Sequence, residues 1–176
     1  MANLGINTAS VEVPDRRYTT DTCAVSQSQG TVKLIFAQET VDGKAWRSVL
    51  VVHMSNEAVS RFLATLEQMG SPGLDTIAAS NNIQAELLKP MMSEPHGQAI
   101  ALSANLVLTA ASGNEACLDF YQASAFSLSL VFASKKLALE PIVRVDLRTS
   151  LLLALVAAIR ATGITAQEIK IPAGAT

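Results

Sequence analysis

Four residues have side chains whose types could carry covalent or metal chemistry: Cys23, Cys117, His53 and His96. A thiol nucleophile needs a base within hydrogen-bond reach. Cys23 and His53 are the pair that could provide this, because both fall in strand-like runs that could lie side by side. No third group to orient the histidine is identifiable, and a cysteine within an apolar alternation behaves first as a small hydrophobe. His96 lies between Pro95 and Gly97 and reads as a loop residue. A metal needs at least three converging ligands, and His, Cys and carboxylates do not cluster at ligand spacing. The chain contains no G-x-x-x-x-G-K, no G-x-G-x-x-G after a strand and no H-E-x-x-H. Trp46 and Tyr121 could stack a base or ligand, but lone aromatics at strand ends read more simply as packing residues, and the charge around them is too sparse for a single-strand groove. The expectation is therefore no catalytic residue, no cofactor and no metal.

Composition points the same way. Apolar residues make up 49% of the 176 positions and charged residues 16%, against about 25% charged in an ordinary soluble domain. Much of the surface is therefore expected to be covered by other subunits. Net charge is -2, and the basic residues are scattered apart from Arg16-Arg17 and Lys135-Lys136, which leaves no stripe to follow a phosphate backbone. Nucleic acid is disfavoured as a partner, and so is a membrane, because the longest apolar run, Leu151 to Ile159, is far too short to span one. Two lone cysteines form no disulfide framework, and residues Met1 to Val13 lack the pattern of a signal peptide. A cytoplasmic protein is expected, or a virion component if the chain is of viral origin.

The elements that must position these residues repeat. Leu34-Ile35-Phe36-Ala37-Gln38 aligns with Leu118-Asp119-Phe120-Tyr121-Gln122 at an offset of 84, with three of the five residues identical. Val49 to Met54 aligns with Ile142 to Leu147 at an offset of 93; Ala58, Phe62 and Leu66 then fall on Leu151, Leu155 and Ile159, and Gly70 on Gly163. Glycine just past a helix is selected for the left-handed conformation it adopts without a Cβ clash, so its recurrence at one phase is informative. The nine extra residues of the second copy must lie between Gln122 and Ile142.

Within one unit, Cys23 to Gln27 and Val32 to Ala37 flank a Ser28-Gln29-Gly30 turn, and Asp42-Gly43 precedes the run Arg47 to Met54. Asp-Gly between apolar alternations is a hairpin signal. Ser55 is suited to cap a helix over about Asn56 to Met69, with Glu57 at the positive end of its dipole. Period-two alternation puts Val32, Leu34, Phe36, Leu50, Val52 and Met54 on one face under Ala58, Phe62, Leu66 and Met69. In the second copy it puts Ala116, Leu118, Phe120, Val143, Val145 and Leu147 under Leu151, Leu155 and Ile159. The fold class expected is α+β: two tandem copies of an antiparallel three-stranded meander followed by a helix, packed as one pseudo-symmetric body. Its parts are an arm over residues 1–20, a first unit over 21–70, a helix and linker over 71–97, a second unit over 98–170 with an insertion at 123–139, and a tail over 171–176. The helix Leu151 to Ile159 is apolar all round and should be central.

The opposite sheet face separates the copies. Val49, Val51 and His53 correspond to Ile142, Arg144 and Asp146, and a strand apolar on both faces is usually buried on both. A protein interface is therefore expected at Val49, Val51 and His53. A second is expected on the insertion, where Phe126, Leu128, Leu130 and Phe132 alternate as an extra strand whose free edge could add to a neighbour.

The run Val49-Leu50-Val51-Val52-His53-Met54-Ser55-Asn56-Glu57-Ala58, continuing into Phe62-Leu63 and Leu66, resembles the strand-to-helix signature of a family of small uncharacterised bacterial proteins. Over residues 23–69 the resemblance includes the upstream strand Val32-Lys33-Leu34-Ile35-Phe36. The second copy departs from it, reading Leu147-Arg148-Thr149-Ser150-Leu151. The order of strands then helix also resembles subunits of the SecB export chaperones, by architecture alone. Three functions follow as expectations. The first is a non-enzymatic, self-assembling structural, scaffold or adaptor subunit, partnered by itself or another protein. The second is a SecB-like holdase or client-binding adaptor, and the third a small enzyme using Cys23 and His53.

Overall fold

The computed structural model describes residues 11–68, 99–124 and 139–166. In chain order these form β1 (Arg17–Thr19), β2 (Thr22–Ser28), β3 (Thr31–Glu39), β4 (Trp46–Ser55), α1 (Asn56–Gln68), β5 (Ile100–Ser103), β6 (Leu106–Ser112), β7 (Glu115–Ala123), β8 (Leu139–Arg148) and α2 (Thr149–Ala161). The expected α+β class is what forms. Among the described residues there are two four-stranded sheets: the first has the order β2-β3-β4-β5, the second β6-β7-β8-β1.

Each sheet is built on an antiparallel meander whose turns suit its twist. Gln29 and Gly30 join β2 to β3 with φ of 49° and 79°. Two positive φ values in succession make the tight turn that follows the natural twist of paired strands. Between β6 and β7 the left-handed residue is Gly113, with φ of 60°. Across the first meander Val32 pairs with Met54, Leu34 with Val52 and Phe36 with Leu50, and all six side chains are buried. Across the second, Ala116 pairs with Leu147, Leu118 with Val145 and Phe120 with Val143, and these are buried too.

The pairings recur at fixed spacing. Thr22 opposes Ala37 as Leu106 opposes Tyr121, 84 positions on in both strands. Both meanders carry a β-bulge at the same place. Phe36 pairs with Leu50 but Ala37 with Ser48, which leaves Val49 as the extra residue; Phe120 pairs with Val143 but Tyr121 with Pro141, which leaves Ile142. Pro141 is tolerated there because a bulge does not need its missing N–H.

The fourth strand of each sheet departs from the three-stranded expectation. β5 runs parallel to β4, with Val51 beside Ala101 and Val52 beside Leu102. β1 runs parallel to β8, with Arg17 beside Arg144 and Tyr18 beside Val145. Each meander is thus completed by a short strand that precedes the other meander in the chain. The arm expected over residues 1–20 is corrected in this part: three residues are too few to display a period, and what orders them is a partner more than a hundred positions away. Pro14 is also buried, and the Tyr121 hydroxyl donates to the Glu12 carbonyl at 3.1 Å.

The helices are placed by their first turns. The Ser55 Oγ accepts from the Ala58 N–H at 3.1 Å, as a capping serine should. Asn56 N–H donates to the Gly30 carbonyl, and Thr149 N–H to the Asn114 carbonyl, so each helix starts against its meander's hairpin turn. α2 ends at Gly163, whose φ of 85° is the left-handed conformation expected there; Gly70 lies outside the described residues. α1 covers β6 as well as β3 and β4, and α2 covers β2 as well as β7 and β8. The Glu67–Arg160 ion pair at 3.0 Å joins the two helices.

One continuous core results, containing residues from both sheets and both helices. At its centre the rings of Phe36 and Phe120 meet edge to face, with centroids 6.0 Å apart. Of the expected core residues only Leu151 is half-buried, and Met69 lies outside the described residues. α2 is less enclosed than its composition suggests. Leu152, Leu153, Leu155, Val156 and Ile159 are buried, while Ala157 is exposed and Ala154 and Ala158 are half-buried. Alanine presents so little apolar area that this side needs no cover.

Because Phe36 and Phe120 fill the joint between the sheets, Phe36→Ala or Phe120→Ala is expected to cost about 3–5 kcal/mol of unfolding free energy. The double variant should cost less than the sum, since the two rings are in direct contact. Urea denaturation followed by circular dichroism measures all three.

Candidate functional site

Because side chains alternate across a strand, each sheet has a face turned away from the core, and register aligns its residues into rows. On the first sheet one row runs Ala24, Ile35, Val51, Ala101, and the next runs Ser26, Lys33, His53, Ser103. On the second sheet the corresponding rows are Leu108, Asp119, Arg144, Arg17 and then Ala110, Cys117, Asp146, Thr19. The two frames match, but their chemistry does not.

On the first sheet Ala24, Ile35 and Val51 make a second buried cluster, against which Ala99 packs. On the second sheet the same places hold an ion pair. The Arg144 guanidinium donates from Nε to Asp119 Oδ1 at 2.6 Å and from Nη2 to Asp119 Oδ2 at 2.5 Å. The Arg144 side chain is 21% exposed and that of Asp119 11%. A paired fork of this kind is geometrically specific as well as attractive. Beside it Arg17, on the edge strand, reaches Asp146 at 3.1 Å. Tyr121 is buried on the same face, and burial followed by the Asp119 charge pushes its phenol up to about 12.

The residues expected to mark a site fall in different places. Cys23 and His53 are not cross-strand neighbours. Cys23 pairs with Phe36 and faces the core, while His53 pairs with Lys33 on the outer face, and β3 lies between their strands. The Cys23 thiol packs under α2, 4.0 Å from the Leu151 carbonyl, and burial pushes its pKa from 9.0 up to about 12. Cys117 is half-buried and its thiol is also raised, by burial first and then by Asp119. Both thiols are therefore held protonated, the opposite of what a nucleophile needs.

Of the expected interface, Val51 and His53 do share the outer face. Val49 does not share it in the same way: as the extra residue of the bulge it breaks the alternation and packs against the main core. Phe126, Leu128, Leu130 and Phe132 lie outside the described residues, as does His96. Trp46 begins β4 opposite Glu39 and is half-buried. Among the described residues no group of three or more His, Cys, Asp or Glu could hold a metal ion, and no helix is long and apolar enough to cross a membrane.

The Asp119–Arg144 pair was missed as a unit, although each member left a signal. Asp119 stands alone between Leu118 and Phe120, and Arg144 between Val143 and Val145. Lone opposite charges inside two apolar runs that pair in register are candidates for one another. Compared with protein-family models, curated proteins and solved structures, the chain matches none.

Two outcomes follow. Breaking the ion pair with Asp119→Asn or Arg144→Met should cost about 2–3 kcal/mol, less than a fully buried pair because Arg144 is partly solvated. The double variant Asp119→Ile/Arg144→Val, which copies Ile35 and Val51, should restore most of that loss in the same denaturation assay. The second outcome concerns pH. The unfolded chain releases the Cys23 proton above its ordinary value of 9.0, and the folded chain holds it to about 12. Stability should therefore fall as pH rises through that window. Urea midpoints between pH 8 and 11 should show a shallower decline in Cys23→Ala than in the parent protein.

Proposed function

We propose that this chain is a non-enzymatic assembly subunit, made of two tandem copies of one meander-and-helix unit and associating with copies of itself. Support for the duplication comes from pairings that recur at offsets of 84 and 93, down to matching bulges. It also comes from a shared side-chain bond. The Asp21 carboxylate accepts from the Glu39 N–H, and 84 positions later the Asn105 side-chain oxygen accepts from the Ala123 N–H. Short polar residues that can accept a main-chain bond have been kept at one place in both halves.

The functional reading is carried by one observation: the outer face is apolar on the first sheet, through Ala24, Ile35 and Val51, and ionic on the second, through Asp119, Arg144, Asp146 and Arg17. Matched inner faces suffice for the fold, so a difference confined to the outer faces is where two copies would take on separate tasks. On the second sheet the charges of this face are held in two ion pairs, Asp119 with Arg144 and Arg17 with Asp146. On the first sheet Val51 is already buried in the apolar cluster, and the half-buried His53 stands where a neighbouring chain would be met, beside the exposed Lys33 and Ser103. With few charged residues in the whole chain, association meets little like-charge repulsion.

Light scattering during size exclusion tests this directly. At micromolar concentration the mass should be a multiple of 18.6 kDa. A single peak at the monomer mass up to about a hundred micromolar, a concentration at which weak but specific pairs associate, would remove the assembly reading.

A further inference from the structure

We propose that β5, which among the described residues forms an edge of the first sheet, pairs antiparallel with β5 of a second copy across a two-fold axis, joining two four-stranded sheets into one of eight strands. This rests on the assembly reading above and names the surface that would carry it. Among the described residues β5 has β4 on one side only, and an edge strand offers a row of main-chain donors and acceptors that another extended strand can take up. Ile100, Ala101 and Ser103 are exposed, Ile100 at 43%, and no charge or proline interrupts residues 100–103.

The second sheet provides an internal control. At the places that Ile100 and Ala101 hold beside β4, the edge beside β8 has Arg16 and Arg17, both exposed. Near a two-fold axis a residue meets its own copy or a close neighbour of it. Arg16 and Arg17 would face a second pair of arginines; Asp146 answers Arg17, but Arg16 has no ion pair among the described residues, and like charges directly opposed are destabilising. Ile100 and Ala101 would face apolar residues. One edge is thus guarded against self-pairing by charge, the device natural sheets commonly use, and the other is not. Among the described residues the two other edges, β2 and β6, lie partly against α2 and α1, with Cys23, Ala24 and Val107 buried and residues 26–28 and 110–112 exposed.

The outer face fits the same partner. The row Ala24, Ile35, Val51 is buried within the chain and ends on this edge at the exposed Ala101, which a second copy would meet with its own Ala101. A two-fold contact is self-complementary and closes, so it ends at the dimer and does not propagate into a fibre.

The full-length chain is used for the test. Ile100→Arg/Ala101→Arg transfers the charged guard of β1 to β5, and should weaken self-association at least tenfold in light scattering, with an unchanged far-ultraviolet spectrum. Ser26→Arg on the β2 edge should leave association intact. A second measurement does not depend on the arginine variant folding. In a Cys117→Ser background, Ala101→Cys should form an intermolecular disulfide on mild oxidation, and Thr19→Cys on the guarded edge should not. Association that survives the arginine pair, or cross-linking at Thr19→Cys without cross-linking at Ala101→Cys, overturns the edge pairing and leaves self-assembly standing. A parent protein that is monomeric throughout overturns both.

Discussion

Neither meander can finish its own sheet, and the rest of the molecule depends on that constraint. The outer flank of β4 is taken by β5, and that of β8 by β1. The exchange continues past the strand ends, where the Ala104 N–H donates to the His53 carbonyl and the Thr20 N–H to the Asp146 carbonyl. The helices obey the same rule, since each covers the first strand of the opposite meander as well as its own sheet. A half alone would leave a strand flank unpaired and lose part of its helical cover, exposing main-chain groups that cost free energy when unsatisfied. The core is therefore shared from the start, with the Phe36–Phe120 contact at the joint. Loop closure across the whole chain must precede the gain from β1, which makes formation cooperative and dominated by non-local contacts.

This frame separates what packing fixes from what it leaves open. Inward positions pack against both the other sheet and a helix, so apolar residues recur there in both meanders, with Leu34, Phe36 and Val52 in one matched by Leu118, Phe120 and Val145 in the other. An outward position is constrained only by its neighbours in the row. Ile35 beside Val51 and Asp119 beside Arg144 are two solutions to one geometric problem. The first gains from burial; the second must recover the desolvation of two charges through a close paired fork. Both leave a satisfied row, so a change of chemistry there need not disturb the fold.

How much of this was legible in the residues follows from the range of each signal. Period-two runs and an N-cap are local, so β2, β3, β4 and α1 could be read off, along with the buried faces beneath the helices. The Gly163 stop was local too. β1 and β5 were not legible, because strands of three or four residues show no period and each is ordered by a parallel partner in the other half. The bulge was missed for a related reason. Strict alternation put Val49 with Val51, and only the register of Ala37 against Ser48 reveals that one residue is extra. Cys23 and His53 were both correctly placed in strands, but proximity in a sheet also requires adjacent strands and a common face, and they have neither.

The charges of the second sheet form a chain of consequences that begins at its edge. Arg17 on β1 lies beside Arg144 on β8, and two cations side by side on one face repel unless each has a counter-charge. Asp146, on the same face of β8 two residues from Arg144, answers Arg17 at 3.1 Å. Asp119, directly across on β7, answers Arg144 from deeper in the sheet. Neutralisation thus passes inward from the exposed pair to the half-buried one, from a place where an ion pair is worth little to one where breaking it would strand a charge. On the first sheet the edge carries no arginine, so Val51 and Ile35 need no counter-charge and can remain apolar. Whether an edge is charged therefore constrains the chemistry of the row behind it: Arg17 stands at the edge of the ionic row and Ala101 at the edge of the apolar one.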